Sequence, residues 1–294
     1  VWCDMALKLH TYPNNPRAAK ALIAAQYAKV EIETVPVEMG KSNKTDEFLA
    51  LNPWGKIPTL ETPDGGIWES NAIARFVARS TENSLFGKSP FEAAQVEQWV
   101  DWVRGDLELT ASVWLYPIYG FLPLVPEATE KAKEDILKLM NVLNNFLENR
   151  NYFVGDDVTL ADIVVSCTLT PLYMKVFDNN FRQSFENVNR WYVNVVSQPN
   201  FVNVQGEITL CEQMEVAGFV QQKIEVPEVP EGYPSPVEDN SSLNESVSES
   251  EVVPSSEESP VAVEIDNNPP ASEDVNPEPE NISENEESVE KKGW

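Results

Sequence analysis

Residues 52–70, NPWGKIPTLETPDGGIWES, constrain the fold more than any other stretch of the chain. Residues 59–60 predict a short strand, and the PDGG sequence at 63–66 predicts a hairpin turn, because glycine supplies the positive φ that such a turn requires. Residues 67–68 predict the return strand. Ser70 stands where a helix N-cap belongs, ahead of a periodic apolar segment.

Ile57-Pro58 is the unusual part of this stretch. A proline at the entrance of a strand cannot donate to the sheet, so it predicts an edge strand or a cis turn. A cis turn would leave the Ile57 backbone free to pair with an extended ligand, and the helix terminus at Ser70 would offer N–H groups to a carboxylate. The alternative is a hairpin and helix of any small α/β domain.

The segments before the hairpin predict strands and helices in a defined order. Residues 6–10 and 30–37 predict strands, and the Ala-rich segment 17–29 between them predicts a helix. A short helix is expected at 46–51. The order βαβ, connecting helix, ββα predicts a thioredoxin-like domain at 5–87.

After this domain we expect an all-α domain at 88–219, because no further strand is predicted. Apolar residues three and four apart predict a helix with one buried face, namely Val96, Trp99, Val100, Val103 and Leu107. A second amphipathic helix is predicted from Ala132 to Phe146.

Thr159 and Asp162 predict the start of the central helix of the second domain. In this capping box Thr159 caps the helix and the Asp162 carboxylate returns to the cap. The almost wholly apolar segment 163–173 follows, and closing helices are predicted at 185–196 and 201–214. The predicted fold class is therefore α/β followed by all-α.

The acidic charge of the chain is concentrated at one end. The 48 acidic and 21 basic residues give a net charge of −27, and residues 220–294 account for 20 acidic and 3 basic residues, or −17. This segment is rich in Pro, Ser and Glu, so it predicts a disordered acidic tail. The charge argues against nucleic acid as a direct ligand and favours basic protein partners.

Three cysteines, Cys3, Cys167 and Cys211, share no metal-ligand spacing, so neither a metal site nor a disulfide framework is predicted. Cys167 lies in an apolar run and is expected in the core. With no signal peptide and no apolar run of roughly 18 residues, we expect a cytoplasmic protein without a membrane span. Residues 1–4, before Met5, are interpreted as a non-native or disordered extension.

The Pro58 loop and the Glu69-Ser70 pair resemble the glutathione-binding half of the glutathione S-transferase fold. In that fold the cis proline faces the cysteinyl backbone and the Glu-Ser pair binds the γ-glutamyl end. The resemblance implies that glutathione would be bound by Arg17, Lys56, Ile57, Pro58, Glu69 and Ser70. A solvated loop lysine is the alternative interpretation of Lys56.

Longer segments within residues 5–218 resemble the elongation factor 1-gamma family. The resemblance is carried by KALIAAQY at 20–27, ESNAIA at 69–74, QWV at 98–100, VTLADI at 158–163 and, most specifically, 181–212 with FRQSF, NRW, QP and LCE. It implies a scaffold of the translation elongation factor 1 complex that docks the guanine-exchange subunit and, through it, elongation factor 1-alpha. The family normally continues through a charged linker into a separate C-terminal domain, whereas this sequence has an acidic tail in its place, through truncation or loss of that domain.

An active glutathione transferase is the alternative function. Catalysis by that fold needs a hydroxyl or thiol at the end of the first strand, because the glutathione thiolate is the nucleophile. Thr11 falls at the tyrosine position of tyrosine-type transferases, and Tyr12 lies one residue further, on the other side of an alternating strand. Tyr12 packing at the domain interface is an equally open interpretation. Glutathione is thus expected as a ligand or substrate with no cofactor, and self-association stays open.

Overall fold

The computed structural model describes residues 7–83 and 85–218. Two predictions, the extension at 1–4 and the disordered tail at 220–294, lie outside these residues. The described residues form a mixed α/β part followed by an all-α part, which confirms the predicted fold class.

The α/β part is built on one four-stranded sheet. Its elements are β1 (Leu7–Thr11), α1 (Pro16–Ala28), β2 (Ile32–Pro36), α2 (Asp46–Leu51), β3 (Thr59–Thr62), β4 (Gly65–Trp68) and α3 (Ser70–Arg79). The strand order is β2-β1-β3-β4. β1 and β2 are parallel, whereas β3 is antiparallel to both of its neighbours. This is the predicted thioredoxin-like arrangement.

The β3–β4 hairpin turns more tightly than predicted. Thr62 pairs with Gly65, so only two residues, 63 and 64, connect the strands. Gly65 has a φ of +131°, a backbone conformation that glycine adopts readily and that residues with a side chain rarely adopt. A Cβ at Gly66 would lie 2.1 Å from the Leu51 carbonyl oxygen, so the absent side chain lets β4 lie directly against the end of α2.

The all-α part begins with a long helical segment. Its elements are α4 (Pro90–Trp102), a π-helical turn (Val103–Leu107), α5 (Glu108–Ile118), α6 (Pro126–Phe146), α7 (Leu160–Lys175), α8 (Asn179–Gln183), α9 (Glu186–Val196) and α10 (Pro199–Gln205). All five residues of the first predicted apolar face are buried. The π-helical turn keeps that face continuous from α4 into α5.

Helix α7 lies at the centre of the all-α part. It contacts α1 and α3 of the first part as well as α4, α5 and α9. Its buried residues include every position from Leu160 to Thr170, so the predicted central helix is present. The Thr159–Asp162 capping box forms at its start.

The predicted closing helix at 201–214 is wrong in its second half. Helix α10 ends at Gln205, where Gly206 takes a φ of +70°, and residues 206–218 contain no helix or strand. The Cys211 N–H donates to the Tyr173 carbonyl at 2.9 Å, and the Glu215 N–H donates to the Lys175 carbonyl at 2.8 Å. This segment therefore satisfies carbonyl groups that the last turn of α7 leaves without helical partners.

Within the described ranges, no helix has both the length and the apolar character needed to cross a membrane. All described residues belong to one compact unit, and the division at residues 87 and 88 stays a prediction.

Candidate functional site

The register of the sheet brings three of the predicted site residues together. Thr59 pairs with His10 of β1 and with Trp68 of β4. Because β3 is antiparallel to both strands, the next row at this end of the sheet consists of Thr11, Pro58 and Glu69. The α1 N-terminus, the Pro58 loop and the α3 N-terminus therefore border one edge.

The loop before β3 is held by side chains beneath it. The Ile57-Pro58 peptide is cis, one of the two predicted alternatives. The Lys56 carbonyl accepts hydrogen bonds from Asn52 Nδ2 at 2.8 Å and from the Thr59 hydroxyl at 2.9 Å. The Lys56 ammonium lies 5.9 Å from the centroid of the Trp54 ring and pairs with no carboxylate among the described residues.

Helix α3 begins one residue earlier than the predicted cap implies. Ser70 is the first helical residue, and Glu69 occupies the cap position with a φ of +73°. The prediction of Ser70 as N-cap is therefore wrong, because the chain reverses at Glu69 directly after β4. Positive φ at a non-glycine residue is uncommon and costly, and such residues concentrate at functional sites. The Glu69 carboxylate accepts a hydrogen bond from the Arg104 guanidinium at 2.9 Å.

The two predicted catalytic hydroxyls, those of Thr11 and Tyr12, differ in whether they are free to hydrogen-bond to a ligand. The buried Thr11 hydroxyl accepts from Asn15 Nδ2 at 3.1 Å and donates to the Tyr12 carbonyl at 3.3 Å. The Tyr12 side chain is exposed, and its hydroxyl makes no hydrogen bond within the described residues. Burial of part of the ring raises the pKa of Tyr12, although the positive charge of Arg17 opposes this shift. Tyr12 is therefore a neutral phenol at pH 7, able to donate.

Arg17 belongs to a charged network that connects the two parts of the fold. Its Nε lies 2.7 Å from Glu108 Oε1, and the buried Lys20 Nζ lies 2.9 Å from Glu108 Oε2. Lys20 also donates to Asn71 Oδ1 at 3.1 Å, next to Ser70. Burial by itself raises the pKa of Glu108, but Lys20 and Arg17 outweigh it and hold that pKa at about 2.

Lys20, Asn71, Glu108 and Arg104 were not predicted from the sequence. The only local signal is a lysine among the small residues of α1, where a buried cation requires an anionic partner. No spacing rule connects Lys20 to a carboxylate 88 residues further along the chain.

A cavity of about 440 Å³ lies beside Tyr12. Its walls come from α1, β2 and the loop between β1 and α1 on one side, and from α7, the end of α10 and the segment after it on the other. None of the predicted contacts from Lys56 to Ser70 lines it, whereas Thr11 does, so the cavity adjoins that edge of the sheet on the side away from Pro58.

Within the part of the chain that the structure describes, Cys167 is not a candidate nucleophile and no metal-binding cluster forms. Burial raises the pKa of the Cys167 thiol to about 12, so it is a core residue rather than a nucleophile. No group of three or more His, Cys, Asp or Glu side chains within 7–83 and 85–218 could hold a metal ion.

Both parts of the fold match families of known proteins. Residues 5–79 match the model of the glutathione S-transferase N-terminal domain, and residues 114–199 match that of the glutathione S-transferase C-terminal domain. Elongation factor 1-gamma 1 of Oryza sativa subsp. japonica is 43% identical over 225 residues, which cover 76% of this chain and 53% of that protein. Elongation factor 1-gamma of Homo sapiens is 46% identical over 211 residues, covering 70% and 48%. The chain belongs to the elongation factor 1-gamma family. It spans about half the length of these curated relatives.

Solved structures show the same fold inside and outside the elongation factor 1-gamma family. The glutathione S-transferase-like domain of elongation factor 1-gamma from Saccharomyces cerevisiae superposes with a TM-score of 0.62 at 18% identity, over 71% of this chain and 96% of that one. A delta-class glutathione transferase of Nilaparvata lugens gives 0.60 at 26% identity, over 67% and 92%. The fold alone therefore does not separate scaffold from enzyme.

Proposed function

We propose that this chain acts as the gamma subunit of translation elongation factor 1. In this role it is a cytoplasmic scaffold that docks the guanine-exchange subunit and, through it, elongation factor 1-alpha. The observation that carries the proposal is the 43–46% identity to elongation factor 1-gamma proteins over 211–225 residues.

The polar groups around the sheet edge also support a scaffold. Arg17 and Glu69, two predicted glutathione contacts, are paired with Glu108 and Arg104. The Thr11 hydroxyl is already hydrogen-bonded. Glutathione is therefore proposed as a weakly bound ligand that is conjugated slowly or not at all.

Self-association is a further proposal for the same fold. Trp54 and Trp68 are 66% and 41% exposed on the α/β part, and large exposed aromatic side chains often mark interaction sites. Light scattering after gel filtration tests it: Trp54→Ser is expected to shift a dimer towards monomer, and an unchanged mass would contradict a Trp54 interface.

Mixing the full chain with purified guanine-exchange subunit tests the main proposal. Co-elution without turnover of glutathione and a generic electrophile is expected. Brisk conjugation that Tyr12→Phe abolishes, together with no complex, would establish the transferase instead.

A further inference from the structure

We propose that the cavity beside Tyr12 anchors the guanine-exchange subunit. Its occupant would be one Trp or Tyr side chain of that subunit, flanked by a basic residue. The inference rests on the proposed function, because it assigns the docking surface of that partner.

The walls of the cavity suit a large apolar body. Leu22 of α1, Val35 of β2, Met174 of α7 and Ile208 line it. Buried aromatic side chains contribute most to the stability of protein interfaces, since they bring a large apolar area into a desolvated pocket. An aromatic anchor is therefore the side chain that gains most from this site.

Gln205, a residue of the wall, restricts the anchor further. Gln205 Nε2 contacts Cys167 Sγ at 3.6 Å, whereas Gln205 Oε1 is buried and accepts no hydrogen bond from any described residue. The hydroxyl groups of Thr11 and Thr170 in the same wall are already hydrogen-bonded. A buried acceptor without a donor is costly, so a turn of the Gln205 amide towards the cavity would let Oε1 accept from an indole N–H or a phenol O–H, which a Phe or Leu side chain cannot supply.

The apolar surface continues outwards from the cavity. Tyr12, Tyr119 and Met174 line it and are each more than 40% exposed. Phe121 stacks on Tyr119 with ring centroids 5.6 Å apart and is 67% exposed, and Leu122 is 53% exposed. This rim extends beyond what a single side chain covers, which indicates a protein segment rather than a small molecule.

Charge complementarity defines the flank of that segment. Glu207 lines the cavity, is exposed and pairs with no cation among the described residues. The chain as a whole has a net charge of −27. A basic residue beside the aromatic anchor would therefore face Glu207, and long-range attraction would assist its approach.

Isothermal titration of the full chain with the purified guanine-exchange subunit tests whether the cavity anchors that subunit. Gln205→Leu is expected to weaken binding roughly 3- to 10-fold, the value of one buried hydrogen bond, while the Tm stays equal or rises because an unpaired acceptor is removed. A merely structural role for Gln205 would lower the Tm instead. Glu207→Lys is expected to weaken binding and to reduce its salt dependence. Phe91→Ser, a control at a 72% exposed residue outside the cavity, should change nothing.

The outcomes separate the two levels of the proposal. If the wild-type chain does not bind the subunit, the proposed function is wrong, and so is the proposal that the cavity anchors the subunit. If the wild type and both cavity variants bind equally, the scaffold function is supported and the assignment of the cavity as the anchoring site is wrong. Indole serves as a probe: competition between millimolar indole and the subunit supports an aromatic anchor, whereas indole binding without competition would make this a small-molecule site and overturn the inference.

Discussion

The carboxylate of Asp162 shows what one residue does for this fold. It is fully buried and accepts hydrogen bonds from the backbone N–H groups of Phe153 and Thr159, from the Thr159 hydroxyl and from Trp191 Nε1, all at 2.9–3.0 Å. It thus joins the loop before α7, the α7 N-terminus and helix α9. The helix cap alone would account for only the two Thr159 contacts.

Asp162→Ala is expected to lower the free energy of unfolding by about 3 kcal/mol or more, because four buried donors lose their acceptor. Chemical denaturation followed by tryptophan fluorescence measures it. Asp135→Ala, which removes an exposed carboxylate paired with Lys131 and Lys138, is the control and should leave the unfolding midpoint nearly unchanged. A midpoint unchanged by Asp162→Ala would mean that this hydrogen-bond network contributes nothing.

Ser70→Ala is expected to weaken glutathione binding roughly 3- to 10-fold, since a hydroxyl and its hydrogen bond are lost at the α3 N-terminus. Thr11→Ala should have less effect, because that hydroxyl is already used by Asn15. Titration calorimetry with glutathione measures both variants. Equal affinity of Ser70→Ala and wild type would show that the edge is a remnant of the fold.

At the scale of elements, α1 and α5 are joined by the Lys20–Glu108 pair. The Lys20 side chain is 2% exposed and that of Glu108 is 19% exposed, so neither charge is well solvated. Lys20 is also the link to Asn71 at the start of α3. Removing Glu108 leaves the Lys20 charge buried without its counter-ion, which is strongly destabilising, whereas removing Lys20 leaves Glu108 paired with Arg17.

Stability should therefore depend on Glu108 at acid pH. The pKa of Glu108 is lowered from 4.5 to about 2 in the folded state, which corresponds to about 3 kcal/mol. A lowered folded pKa means that this contribution is present above pH 4.5 and is lost as the pH falls towards 2. Glu108→Gln should lower stability at pH 7 and flatten the profile between these values, as urea unfolding at several pH values can measure.

Glu130→Gln is the matched control, because Glu130 is a 68% exposed carboxylate whose one cationic partner within residues 7–218 is Lys133. Its profile should follow that of the wild type. If Glu108→Gln retains the full acid dependence, other carboxylates carry it. Lys20→Met combined with Glu108→Leu should recover part of the loss, since an apolar pair leaves no buried charge.

In the whole molecule, charged contacts also cross between the α/β and all-α parts at α3 and α4. Arg75 lies 2.5 Å from both Glu97 and Asp101, and Arg79 also pairs with Glu97. All of these contacts lie within residues 7–218. The same range contains the packing of α7 against α1 and the Glu108 network.

Deleting residues 220–294 is accordingly expected to leave the Tm and the affinity for the exchange subunit unchanged. The motivation is the composition of that segment, which has a charge of −17 and cannot bury enough apolar surface to form a core. Calorimetry of the shortened chain, with titration of the exchange subunit, decides the question. A Tm lower by several degrees would show that the segment contributes to the fold.

Local patterns predicted the α/β order, the short helix at Asp46–Leu51, the β3–β4 hairpin and the start of α7. Each depends on interactions within a few residues, such as a cap or the apolar period of one helix. The last helix was predicted too long because the residues after Gly206 have helix-compatible apolar spacing, while their backbone groups pair with the end of α7 instead.

The residues of the candidate site also fall into two groups, those that the sequence indicated and those that only the tertiary structure reveals. Pro58 and Ser70 could be identified from a strand entrance and a helix start, and Glu69 from the resemblance to the glutathione S-transferase fold; the strand register of the structure then brings Pro58 and Glu69 to one edge. The Lys20–Glu108 pair, the Arg104–Glu69 contact and the unpaired Gln205 oxygen required the packed molecule. The residues in these contacts come from segments far apart in the chain, and only the docking of the helices against the sheet removes them from water and gives each charge or polar atom its partner, or leaves it without one.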